Sequence, residues 1–93
     1  LTLDPVTRAV AIEGRPVAVS SMELALLQRL ADQPDRVYTK HELLRDVWGY
    51  LAEGRTRTVD THACRLRRKL DAASTRRWVI NVRGVGYRLT EGD

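Results

Sequence analysis

The chain has no phenylalanine, one methionine and one cysteine, and only five of its 93 residues are aromatic. Each shortage excludes something. A single thiol, Cys64, cannot close an internal disulfide, so a disulfide scaffold is ruled out and a reducing, cytoplasmic setting is expected. No apolar run approaches the roughly 18 residues that a membrane-spanning helix needs, and no secretory signal opens the chain. Two histidines and one cysteine are too few for an obvious metal centre: His62 and Cys64, two apart on a helix, point about 160° apart, and His41 has no neighbour of its own type. Gly84-Val85-Gly86 is followed by neither a third glycine nor a helix, so it is not a dinucleotide fingerprint. Ser20 and Ser21 have no His–Asp arrangement nearby, and no residue set supports catalysis or a cofactor. At this size the core is small, which argues against a large enzyme cleft.

What is present is a lopsided charge. Sixteen basic side chains oppose twelve acidic ones, net +4. Residues 1–50 hold six basic and seven acidic side chains, whereas 51–93 hold ten and five. Gly54–Leu70 alone carries six basic residues against Asp60. So dense a basic block favours a polyanionic partner over a merely solvated helix face.

No repeat or linker divides the chain, so residues 1–93 read as one domain. Leu1–Leu3, Ala9–Ile12 and Pro16–Val19 are short β-type runs separated by turn residues, which predicts an antiparallel meander. Ser20-Ser21-Met22-Glu23 matches a capping box and opens a helix whose apolar stripe is Leu24, Leu26, Leu27, Leu30 and Ala31; Gln33-Pro34-Asp35 stops it. Thr39–Glu42 is a second capping box, leading through Leu43, Leu44 and Val47 to Trp48, with Gly49 as the stop. Gly49–Thr56 reads as a loop and about Thr58–Leu70 as a third helix, with Thr58 as a candidate N-cap. Trp78–Val82 and Tyr87–Thr90 then flank Arg83-Gly84-Val85-Gly86, a β-hairpin whose glycines permit positive φ.

Projecting the third helix at about 100° per residue separates two faces. Val59, Ala63, Leu66 and Leu70 fall on one line that should dock on the other helices. Opposite lie Thr61, Cys64, Arg65 and Arg68, with Arg57 at the entrance; Asp60 and Arg67 flank one edge, His62 and Lys69 the other. Long guanidinium groups among small polar residues suit a helix in a DNA major groove, where arginine reads guanine bidentately and flanking cations meet phosphates. RNA readers present aromatic stacking platforms, and none of the five aromatics falls on this face.

Val37-Tyr38, Val47-Trp48-Gly49-Tyr50, Arg57-Thr58-Val59-Asp60-Thr61-His62, Arg65 to Leu70 and Val82 to Arg88 occur in an order that resembles the C-terminal effector domain of OmpR/PhoB-type response regulators of two-component systems. The resemblance covers the chain from Leu3 to Arg88 and implies an α+β fold: a winged helix-turn-helix with an N-terminal antiparallel sheet, three helices and a C-terminal hairpin wing. It implies binding of double-stranded promoter DNA, two copies on tandem half-sites about 10 bp apart, and transcriptional regulation. By the same resemblance, Asp60, Thr61, Cys64, Arg65, Arg68 and the wing-tip Arg83 are base-contacting candidates. Trp48, Arg57, Thr58, His62, Arg67, Asn81 and Tyr87 are phosphate-contacting candidates. Gly49, Tyr50, Leu51, Ala52, Glu53, Gly54 and Arg55 resemble the loop that meets RNA polymerase or its sigma subunit. Cys64 stands where a polar or basic residue is frequent in the family, and Asn81 where threonine is usual. The family's receiver domain and the first of its four N-terminal strands are expected to lie upstream of Leu1. The competing class is a protein adaptor that docks on RNA polymerase and binds DNA only non-specifically.

Overall fold

The computed structural model describes residues 1–4, 6–49 and 55–90. β1 (Thr2–Leu3), β2 (Val10–Ile12) and β3 (Arg15–Val17) form an antiparallel sheet in chain order. The β2–β3 connection is the two residues Glu13 and Gly14, with φ of 53° and 80°. Two consecutive left-handed residues match the right-handed twist of the strands they join. Val10 and Ile12 of the central strand are buried, and Leu3 and Val17 of the two edge strands pack partly buried against the same core.

Three helices follow: α1 (Ser21–Asp32), α2 (Lys40–Leu43) and α3 (Thr56–Ala73). Both capping boxes form. Ser20 Oγ accepts from the Glu23 amide at 3.1 Å while Glu23 accepts from the Ser20 amide at 2.8 Å, and Thr39 and Glu42 make the same exchange. α2 is only one turn of α-helix. It continues as a π-helical segment, Leu44–Trp48, closed by the Gly49 amide donating to the carbonyls of Leu44 and Arg45 at 3.0 and 3.1 Å. Gly49 has φ of 80°, a conformation that glycine adopts without a steric penalty.

β4 (Tyr38–Thr39), β5 (Val79–Val82) and β6 (Gly86–Leu89) make a second antiparallel sheet in the order β4-β6-β5. The wing is therefore three-stranded where the sequence suggests a hairpin alone. A two-residue strand carries no periodicity, and β4 finds its partner β6 far along the chain, Tyr38 opposite Tyr87 and Thr39 opposite Gly86. Gly86 makes that pairing possible. A Cβ placed on it would lie 1.8 Å from the Tyr38 carbonyl oxygen, so its role is close approach; Gly84, with φ of 73°, is the turn residue. α3 also departs from expectation at its start. It begins at Thr56 with Arg55 as N-cap, so Thr58 lies inside the helix and is not its cap.

The core lies where the two sheets and three helices meet. Leu26, Leu27 and Leu30 of α1, Leu43 of α2, and Val59, Ala63, Leu66 and Leu70 of α3 are all fully buried, joined by Tyr38, Val79, Tyr87 and Leu89 from the wing sheet. This packing holds one face of α3 inward and turns the other to solvent. No helix among the described residues is long and apolar enough to cross a membrane.

Candidate nucleic-acid interface

The solvent face of α3 carries Arg57, Thr61, Cys64, Arg65 and Arg68, all exposed, as the periodicity predicts. Arg57, Arg65 and Arg68 form no ion pair among the described residues, so their guanidinium groups stay available to a polyanion. Thr61 Oγ1 donates to the Arg57 carbonyl at 3.0 Å, which leaves its lone pairs outward as acceptors. Arg83 projects from the turn between β5 and β6 and is exposed; Asn81 is exposed on β5.

The flanking residues are held more tightly. His62 is half-buried; its Nδ1 donates to the Thr58 carbonyl at 2.8 Å, and its ring meets Trp48 edge-on with centroids 5.1 Å apart. Trp48, at the end of the π segment, is thus brought against α3 as a partly buried wedge. Arg67 is half-buried at the side of α3 that faces Tyr87, and its Nε has no hydrogen-bond partner among the described residues. Tyr87 is buried in the wing sheet and its hydroxyl donates to Asp60 Oδ1 at 2.6 Å. Burial, reinforced by that carboxylate, drives the phenol far above its ordinary pKa. Asp60 also lies 3.2 Å from the Lys40 ammonium, so its charge is offset from two sides. Gly49 and Arg55 bound the proposed polymerase loop; Tyr50, Leu51, Ala52, Glu53 and Gly54 lie outside the described residues.

Sequence reasoning misses one contact that orients this face. Lys69, which the helix projection leaves free on the flank, donates to Glu23 Oε1 at 2.6 Å. Glu23 is therefore both half of the α1 capping box and the anchor of the last turns of α3. Its burial, unusual for a carboxylate, is the consequence.

A sheet–three-helix–wing order, with one amphipathic helix presenting cations beside an exposed arginine at the wing tip, defines a winged helix-turn-helix. The chain belongs to the family "Transcriptional regulatory protein, C terminal", whose model matches residues 14–89, and it is a C-terminal effector domain of the OmpR/PhoB response-regulator type. It is 40% identical over 94 residues to the transcriptional regulatory protein ResD of Bacillus subtilis (strain 168), covering 99% of this chain and 39% of that one. It is 42% identical over 91 residues to the response regulator MprA of Mycobacterium leprae (strain TN), covering 98% and 40%. The chain thus spans about two fifths of the length of the curated relatives it matches. Among solved structures, the AdeR DNA-binding domain in complex with an intercistronic region superposes with a TM-score of 0.84 at 35% identity, covering 96% of this chain and 92% of that one. The Klebsiella pneumoniae RstA DNA-binding domain in complex with the RstA box gives 0.81 at 32% identity, covering 95% and 88%. The family is one of transcriptional regulators and not a class of enzymes.

Proposed function

We propose that this domain binds duplex promoter DNA sequence-specifically, with α3 in the major groove and Arg83 on the wing at the adjacent minor groove. The observation that carries the reading is the split of α3: Val59, Ala63, Leu66 and Leu70 are fully buried, while Arg57, Arg65 and Arg68 stand exposed on the other side with no ion pair among the described residues. An exposed helix face with unneutralised guanidinium groups and small residues between them meets both demands of groove binding, close backbone approach and bidentate donors. The two solved complexes, AdeR with an intercistronic region and RstA with its box, share this fold and support the same mode here.

Within this reading Thr61, Cys64, Arg65 and Arg68 face base edges, and Arg57, Arg67, His62, Trp48, Thr58 and Asn81 hold or brace the phosphate register. His62 comes to a phosphate with Nδ1 already donating to the Thr58 carbonyl, so its Nε2 edge is the one left for the contact. Two copies on tandem half-sites, contact of the 49–55 loop with RNA polymerase or sigma, and a cytoplasmic setting complete the proposal. Arg65→Ala is expected to weaken a selected cognate duplex by about 1–3 kcal/mol while leaving random duplex nearly unchanged. Arg57→Ala should weaken both alike and reduce the salt slope by about 1. Fluorescence anisotropy at several salt concentrations reads both. Equal losses on cognate and random DNA for Arg65→Ala would remove its base-reading role, and absence of any duplex binding at low salt would favour the polymerase adaptor.

A further inference from the structure

Asp60 sits in the first turns of α3, beside the face that carries Thr61 and Arg65. A carboxylate there can read a base only by accepting from the exocyclic amino group of cytosine or adenine, and it repels every phosphate nearby. Its surroundings give it other work. The Tyr87 hydroxyl of β6 donates to it at 2.6 Å, within the range of strong charge-assisted bonds, and the Lys40 ammonium at the start of α2 lies at 3.2 Å. Tyr87 is itself a fixed point. It is 3% exposed, it faces Tyr38 in one ladder and Asn81 in the other, and its neighbour Gly86 is packed onto the Tyr38 carbonyl. From Tyr87, four residues along the same hairpin lead back to Arg83 at the tip. Among the described residues, no other side-chain hydrogen bond joins α3 to β5 or β6.

We infer that Asp60 is a positioning residue that locks the wing tip to the reading face of α3 through the Tyr87 hydroxyl, with Lys40 balancing its charge, and that it does not read a base. Two groove-engaging parts joined rigidly before binding lose less freedom on the duplex than two that must be ordered there. The inference rests on the proposal that α3 and Arg83 engage one duplex together, but its first test uses no DNA.

Cys64 is the chain's one thiol and is exposed on α3, so an Arg83→Cys variant carries two nitroxide labels, one on the helix and one at the wing tip. Double electron–electron resonance on this chain should give a narrow distance distribution. Tyr87→Phe and Asp60→Ala should each broaden or shift it, while Asp60→Asn, which keeps an acceptor for the phenol, leaves it near the parent. An unchanged distribution in Tyr87→Phe, with the fold intact by circular dichroism, overturns the inference. Tyr87→Phe keeps the buried ring, so the test survives a poorly folding Asp60→Ala.

The second arm is a double-mutant cycle on selected cognate DNA, with Cys64 and all other residues native. Arg83→Ala should weaken binding by roughly five- to tenfold in the parent chain and by less than about twofold in Tyr87→Phe. Equal factors in both backgrounds overturn the coupling. If Arg83→Ala has no effect in the parent chain while the label distances respond as expected, the wing's place in the minor groove fails and the Asp60 joint stands.

Discussion

Replacing Glu23 tests how α3 is held in place. Its carboxylate is 3% exposed and accepts from the Ser20 amide at 2.8 Å and the Lys69 ammonium at 2.6 Å. Glu23→Ala deletes both bonds. Ser20 is exposed, so its amide regains water and that half costs about 0.5–1 kcal/mol. A charge-assisted bond such as the Lys69 one contributes about 1.5–3 kcal/mol. The Lys69 side chain is 41% exposed and can return to solvent, so the larger penalty of stranding a fully buried partner does not apply. The expected loss is about 2–4 kcal/mol, or about 10–20 °C in Tm for a domain of this size. Urea unfolding followed by circular dichroism measures it, and adding Lys69→Ala in a double-mutant cycle isolates the pair.

The same contact carries a pH signature. Burial raises the Glu23 carboxyl, but Lys69 and the Ser20 amide outweigh it and hold the group below its ordinary value of 4.5. The folded state therefore binds fewer protons in that window than the unfolded chain. The stabilisation is complete above the unfolded pKa and is lost as pH falls through the folded one. Asp4, lowered by the amides of Val6 and Thr7, and Asp46, lowered chiefly by Arg45, lose stability in the same direction. The readout is accordingly the difference between the native chain and Glu23→Gln, which should be largest at neutral pH and shrink with acid. A difference that stays constant from pH 7 down to about pH 2.5, or a Glu23→Ala loss below about 0.5 kcal/mol, refutes the reasoning.

Gly86→Ala should be among the most damaging small substitutions, because the added methyl meets the Tyr38 carbonyl oxygen at 1.8 Å and β4 must leave β6. A loss of at least about 2 kcal/mol in urea unfolding is expected, and an unchanged midpoint would show that the β4–β6 pairing is dispensable. Cys64→Ser changes an exposed side chain, so stability should stay within about 0.5 kcal/mol. The native thiol should alkylate readily in the free domain and be protected by cognate duplex; equal rates with and without saturating duplex would place α3 away from the groove.

What was legible in the sequence follows the range of the forces. Capping boxes close over three residues, so Ser20–Glu23 and Thr39–Glu42 can be recognised locally, and both form. The inner line of α3 repeats within one helix, so Val59, Ala63, Leu66 and Leu70 are found by projection and all are buried. β4 has no such signal: two residues become a strand only because Gly86, remote in sequence, leaves room for the Tyr38 carbonyl. The π segment is equally hidden, since Leu43-Leu44 and Val47-Trp48 suit an ordinary helix as well.

Charge shows the limit most sharply. Counting cations between Gly54 and Leu70 treats six as equivalent, yet Lys69 is bound to Glu23 from 46 residues away and Arg67 is half-buried beside the wing. Arg55, Arg57, Arg65 and Arg68 remain exposed, and the last three share the solvent face of α3. Asp60, the one acid in the block, is not available to cancel them, because Lys40 and Tyr87 hold its carboxylate. The count therefore overstates the number of free cations and understates how little opposes them. Periodicity decides which side chains face outward; pairing across the fold decides which outward charges a polyanion can meet.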